Sequence, residues 1–154
     1  MAIAKPELEH IEAFTVVGIH TRTQNSDEVN PSTAKLHQLW ERFFTIDIPN
    51  RKPDSFIYGV YSDYETDHNG LYTVTAGYEA TTTPFDNELS VKKIEEGDYL
   101  VFKNKGPMPQ AIYETWQAIW RYFELNSDVV RAYKTDFEMC PNLEECSVFI
   151  GIKK

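Results

Sequence analysis

The feature that most narrows what this chain can fold into is an internal repeat. Four short segments recur in the same order. Ile11-Glu12 is matched by Ile94-Glu95, and Arg42-Phe43-Phe44 by Arg121-Tyr122-Phe123. Ser62-Asp63-Tyr64-Glu65 is matched by Thr135-Asp136-Phe137-Glu138, and Val74-Thr75-Ala76-Gly77 by Val148-Phe149-Ile150-Gly151, with offsets between 73 and 83 residues. Each match alone is weak. Their shared order, on a shared strand–helix–strand–strand pattern, makes chance a poor account. Two copies are too few for a solenoid, which stacks three or more units to bury a continuous core. They suit two units joined edge to edge. The expected class is α+β: a duplicated β-α-β-β unit with pseudo-twofold symmetry, giving a curved antiparallel sheet with two helices on one face. The 154 residues then form a single domain, 1–154, with pseudo-repeats over about 6–79 and 90–153, large enough to bury a sizeable core.

Local patterns agree. Phe14 to Arg22 is β-branched and roughly alternating, which predicts a strand. Gln24 to Pro31 reads as a loop, after which Ser32 or Thr33 is placed to cap a helix. Leu36, Leu39, Trp40, Phe43 and Phe44 form a helical stripe. Phe56 to Glu65 and Leu71 to Glu79 read as strands around Asp67-His68-Asn69-Gly70, an Asn-Gly hairpin signature. Ala80 to Glu88 reads as the linker between halves. Val91 to Lys103 is a strand with a bulge or bend at Gly97-Asp98. A proline loop then leads into a helix from Ala111 to Leu125, striped by Ile112, Thr115, Trp116, Ile119, Trp120 and Phe123. Val129 to Met139 and Cys146 to Lys153 form the last hairpin.

With 24 acidic and 15 basic residues the formal charge is −9. This argues against direct nucleic acid binding, which needs a basic face, and against anionic membrane surfaces. An acidic field concentrates cations; it also simply confers solubility. Cys140 and Cys146 are six apart without a nearby His, which is not a zinc spacing. Met1 to Glu7 lacks a signal h-region and no apolar run approaches a membrane span, so a cytoplasmic protein with free thiols is expected. His10, His20, His37 and His68 form no metal-spaced cluster. No nucleophile elbow or phosphate loop is present. The sequence therefore assigns no metal, no cofactor and no catalytic residue, and a non-enzyme is expected.

Several segments together resemble a known family. They are Ile57-Tyr58-Gly59-Val60-Tyr61, Tyr72 to Tyr78, Glu96-Gly97-Asp98-Tyr99-Leu100-Val101-Phe102, Trp116-Gln117-Ala118-Ile119-Trp120, Thr135-Asp136-Phe137-Glu138 and Val148 to Lys153. Their order and spacing resemble the bacterial effector-binding domain, also called the GyrI-like fold. That fold is the ligand-sensing part of multidrug-responsive transcription activators of the AraC and MerR types. It also occurs in stand-alone proteins, including one encoded on an integron gene cassette that binds cationic drugs. The resemblance implies an aromatic-lined pocket between the halves, with an acidic residue that meets a lipophilic cation. No helix-turn-helix pattern accompanies the segments, so the chain is expected not to bind DNA itself. A partner transcription regulator and a homodimer both stay open.

Glu138 matches the acidic position. By position alone it reads as a solvated strand carboxylate or one paired with Arg or Lys. The repeat and the resemblance set a counter-charge role beside that reading, with Glu65 as its pseudo-symmetric mate. Tyr58, Tyr61, Tyr72, Tyr78, Trp40, Trp116 and Trp120 are the candidate walls. Strand side chains alternate between faces, so about half of the four tyrosines should face the pocket. Phe102 and Met108 lead into the second helix, and Met suits an adaptable surface. The function expected is stand-alone binding of amphipathic, cationic small molecules as a sensor or accessory to transcription regulation. The alternatives are a hydrolase of electrophilic small molecules that uses the same glutamate, with Asp136 and Glu138 as an acid/base pair, or a protein-partner module.

Overall fold

The structure, a computed structural model, describes residues 5–46, 56–66, 70–80, 89–107, 110–142 and 144–153. Among the described residues there are eight strands and three helices. In chain order they are β1 (Glu7–Ile11), β2 (Phe14–Thr23), α1 (Asn25–Glu28), α2 (Leu36–Phe43), β3 (Ile57–Ser62) and β4 (Tyr72–Glu79). After these come β5 (Ser90–Ile94), β6 (Gly97–Lys105), α3 (Gln110–Leu125), β7 (Arg131–Asn142) and β8 (Glu145–Ile152). Asp67, His68 and Asn69 of the hairpin signature, residues 81–88 of the expected linker, and Met108 lie outside the described residues.

All eight strands belong to one sheet, in the order β1-β6-β8-β7-β3-β4-β2-β5, and every pairing is antiparallel. The order is symmetric about the β7–β3 seam. From that seam outward each half contributes the second, third and first strand of its β-α-β-β unit, β3-β4-β2 on one side and β7-β8-β6 on the other, and the outermost strand of each side comes from the other half. At the seam Gly59 lies opposite Glu138 and Tyr61 opposite Asp136.

The strand expected over Val91 to Lys103 is broken at Glu95-Glu96 rather than bulged at Gly97-Asp98. The reason lies in the edges. Glu7 faces Val101, Ile11 faces Gly97, Phe14 faces Ile94 and Gly18 faces Ser90. One register therefore runs through both edge pairs. Two residues separate Ile11 from Phe14, yet β1 and β2 stand near opposite ends of the strand order. So short a connection reaches only about 10 Å, so the sheet has to curl until its ends approach.

The concave face encloses a core of Val16, Tyr58, Val60, Ile94, Tyr99, Val101, Phe137 and Phe149. Phe137 and Phe149 stack with centroids 4.4 Å apart. Burying each such ring contributes roughly 1.5–3 kcal/mol. The other face carries the helices. Leu39 and Phe43 of α2 pack on Val17, Ile19 and Val74. Trp116 and Ile119 of α3 pack on Leu100, Phe102, Val148 and Ile150.

The expected helix cap is corrected. Ser32 and Thr33 bond back to Asn30 and Asp27. The first amides of α2 are met by Glu28 instead, which accepts Lys35 N–H at 3.0 Å, Leu36 N–H at 3.2 Å and the Thr23 hydroxyl at 2.5 Å. A carboxylate suits the positive end of a helix. It becomes available because the segment read as a loop winds into the single turn α1.

A cleft between the helices with a buried carboxylate

The two helices diverge over the β3–β7 seam and leave a cleft of about 630 Å³. Strand alternation decides what reaches it. On β3, Ile57, Gly59 and Tyr61 face the cleft, while Tyr58 and Val60 point into the concave core. On β7, Glu138 and Cys140 face the cleft, while Phe137 points into that core.

Glu138 is 4% exposed. Its Oε2 accepts the Tyr61 hydroxyl at 2.7 Å and the Trp116 indole N–H at 2.7 Å. Both donors are neutral. No Lys or Arg pairs with it among the described residues. Burial raises its carboxyl above the ordinary carboxylate range, and the two hydrogen bonds offset only part of that. Burial and the charge of Glu138 push the Tyr61 phenol well above its usual value, so Tyr61 stays a donor.

Gly59 makes this arrangement fit. A Cβ built there would stand 2.8 Å from Glu138 Oε1 and 3.1 Å from the Trp40 ring. The missing side chain lets a carboxylate from β7 and an indole from α2 share the space above β3. Aromatic rings continue along the wall. Tyr72 to Tyr61 is 5.6 Å between centroids, Tyr61 to Trp116 is 5.0 Å, and Trp116 to Trp120 is 6.2 Å. Phe44 is expected on the α2 core stripe, but it lies beyond the end of α2 and stands exposed at the cleft.

Of the sequence candidates, the cleft brings together Glu138, Tyr61, Tyr72, Trp40, Trp116 and Trp120. It does not include Tyr58, which the alternation of β3 sends into the concave core. Tyr78 packs against Phe43 at 5.1 Å beneath α2, and Phe102 packs against Tyr122 at 5.5 Å beneath α3. Both are covered by the helices rather than exposed between them. Glu65 is exposed. Asp63, with φ +52, turns the chain aside after Ser62, so Glu65 never enters the sheet beside its counterpart.

Asp136 shares a face with Glu138 but is already engaged. Its Oδ2 accepts Arg131 Nη2 at 2.8 Å and the Tyr64 hydroxyl, and its Oδ1 accepts Gly151 N–H at 2.8 Å. Both its oxygens are thus occupied in the free protein, which counts against the alternative reading of an Asp136–Glu138 acid/base pair. Arg131 and Tyr64 line the cleft and were missed by sequence reasoning. The available signal was Arg131 at the start of the strand, five residues before Asp136. Cys140 also lines the cleft, and its thiol is pushed up to about 12 by burial and by Glu138, which keeps it unreactive at neutral pH. Among the described residues no group of His, Cys, Asp and Glu is placed to hold a metal ion, and no helix is long and apolar enough to cross a membrane.

A twofold-related α+β domain with an aromatic cleft over its seam and a buried acidic residue beneath is an effector-binding domain of the GyrI-like type. The comparisons with known proteins agree. The family model of the integron-associated effector binding protein, Cass2, matches residues 7–152, and the chain belongs to that family. An integron cassette protein from the mobile metagenome of Vibrio cholerae is 34% identical and superposes with a TM-score of 0.88, over 98% of this chain and 97% of that one. YobU of Bacillus subtilis, provisionally described as a transcriptional regulator, is 26% identical over 162 residues, covering 96% of this chain and 97% of YobU. SAV2435, solved with tetraphenylphosphonium bound, shares the fold at 16% identity with a TM-score of 0.74, over 97% and 94% of the two chains.

Proposed function

We propose that this protein binds amphipathic cationic small molecules, held in the cleft between α2 and α3. The observation that carries the reading is Glu138. Among the described residues it is a buried carboxylate held by neutral donors alone, at the floor of an aromatic cleft. Leaving it without a positive partner is unfavourable in the free protein. A ligand cation supplies that partner, and each ring facing it adds cation–π attraction of roughly 0.5–2 kcal/mol. Trp40, Tyr61, Tyr72, Trp116 and Trp120 are the binding walls. Stacking and a single charge set few geometric demands, so the site is promiscuous. A formal charge of −9 disfavours direct contact between this domain and nucleic acid. The bound tetraphenylphosphonium of SAV2435 is in keeping with the reading.

The test is a tryptophan-fluorescence titration with tetraphenylphosphonium and the uncharged isostere tetraphenylmethane-type analogue, on wild type and Glu138→Gln. Saturable binding of the cation, weakened in the variant, is expected. Equal binding of the neutral analogue with no effect of the substitution would remove Glu138 from its role. The raised carboxyl of Glu138 is also what a general acid–base needs, which favours a hydrolase as the second reading. Turnover of ester or epoxide substrates, abolished in Glu138→Gln, would promote it.

A further inference from the structure

A second polar group in the cleft has unused donors. Arg131 opens β7, and its side chain is 5% exposed yet lines the cleft. A guanidinium carries five N–H donors. Here Nη2 donates to Asp136, Nε is buried without a partner, and Nη1 has none among the described residues. Asp136 has little left to offer, because Tyr64 and Gly151 also donate to it. The group is boxed by rings. Its central carbon is 4.5 Å from the Tyr133 centroid and 6.0 Å from those of Tyr64, Trp116 and Phe123.

The backbone is bent to place it there. The β7–β8 register shifts between Arg131 and Asp136, and Tyr133 holds φ +54, a conformation unfavourable for a bulky residue. Strain of this kind persists where the surroundings over-determine it, and such places cluster at binding sites. Trp116 connects the two polar groups. Its indole N–H is bonded to Glu138 and its ring faces Arg131. One indole therefore separates carboxylate from guanidinium.

We propose that Arg131 forms a second subsite, donating a hydrogen bond to an acceptor oxygen on the ligand whose cationic end meets Glu138. This rests on the cation reading given above and narrows it. The ligand class is an amphipathic cation with a neutral acceptor, such as a carbonyl, ether or sulfonyl oxygen, about one aromatic ring away from the charge. A neutral acceptor fits better than an anion. Asp136 already balances the guanidinium, and an added negative charge would stand near Glu138.

The experiment compares two probes on the wild-type protein by fluorescence titration. One is a trimethylammonium with a phenylalkyl tail. The other series has the same tail with a single methylene replaced by a carbonyl, at each position in turn. At the matching position the carbonyl should tighten binding about tenfold, as a hydrogen bond from a charged donor does. In the charge-balanced double variant Arg131→Met with Asp136→Asn, that gain should vanish, so that the carbonyl probe and the plain cation bind the variant alike. If the plain cation binds and no carbonyl position gains, the Arg131 subsite is overturned and the cation reading stands. If the gain survives in the double variant, the acceptor is met elsewhere and the subsite is again overturned. If no probe binds, the cation reading fails and the subsite falls with it. Should the double variant not fold, the single variant Arg131→Met takes its place: loss of the gain supports the subsite, and its survival overturns it.

Discussion

Glu138→Gln should weaken ligand binding and at the same time leave the free protein no less stable. Two hydrogen bonds of 2.7 Å hold Oε2. Bonds to a charged acceptor contribute about 1.5–3 kcal/mol each. Against them stands the desolvation of a fully buried carboxylate, several kcal/mol in real proteins. The raised pKa of Glu138 gives the sign, since burial outweighs both bonds. Glutamine keeps the shape and one oxygen to accept from Tyr61 and Trp116, and it removes the buried charge. At pH 8 the variant should match or exceed wild type by about 1 kcal/mol, a Tm rise of about 2–4 °C for a chain this size.

The pH profile follows from linkage. A carboxyl whose pKa is raised on folding contributes stability that is fully present below its unfolded value and lost as pH rises through the folded one. The gap between variant and wild type should therefore be widest at pH 8 and close toward pH 4. Urea unfolding followed by circular dichroism across that range measures it. Cation affinity should fall about 10–100-fold in the variant, because a charge pair at 4 Å is worth at most about 4 kcal/mol at an effective dielectric near 20. A variant less stable than wild type by about 2 kcal/mol or more at pH 8 would refute the argument, since Glu138 would then have to be stabilised by something positive.

Asp136→Ala strands the buried Arg131 and removes the acceptor for Tyr64 and Gly151, so it should destabilise by about 3–5 kcal/mol in urea unfolding. Gly59→Ala places a Cβ 2.8 Å from Glu138 Oε1 and 3.1 Å from Trp40. Overpacking should cost about 1–3 kcal/mol and reduce cation affinity, and unchanged values of both would mean the space above Gly59 is not needed. Cation binding should weaken as pH falls through the raised pKa of Glu138, by up to about tenfold per pH unit. Titrations between pH 5 and 8 should show this in wild type and a flat profile in Glu138→Gln.

Most of the fold was legible because its signals are local. The stripe of α3 follows from side-chain period and the strand of β2 from its β-branched run, and the two-copy order implied two units joined edge to edge. The crossing of β1 and β5 was not legible. Nothing in Ile11-Glu12 or Ile94-Glu95 says that the strand beyond pairs at the other end of the sheet. The cap of α2 was misplaced for a similar reason: Glu28 reaches it only once α1 has wound.

For the site, sequence determined the cast but not the seating. It set an acidic residue among apolar neighbours at Glu138, and tyrosines and tryptophans on the right elements. Strand period alone also required that Tyr58 and Tyr61 face opposite ways, though not which of them meets the cleft. That choice was made by the pairing of β3 with β7, which sets Gly59 against Glu138 and turns Tyr58 into the core. The fate of the two matching carboxylates was likewise decided by backbone path, since the chain turns off at Asp63 and β7 runs on through Glu138. Local chemistry is written residue by residue. Whether a buried charge is paired depends on which distant strands meet over it, and only the assembled sheet fixes that.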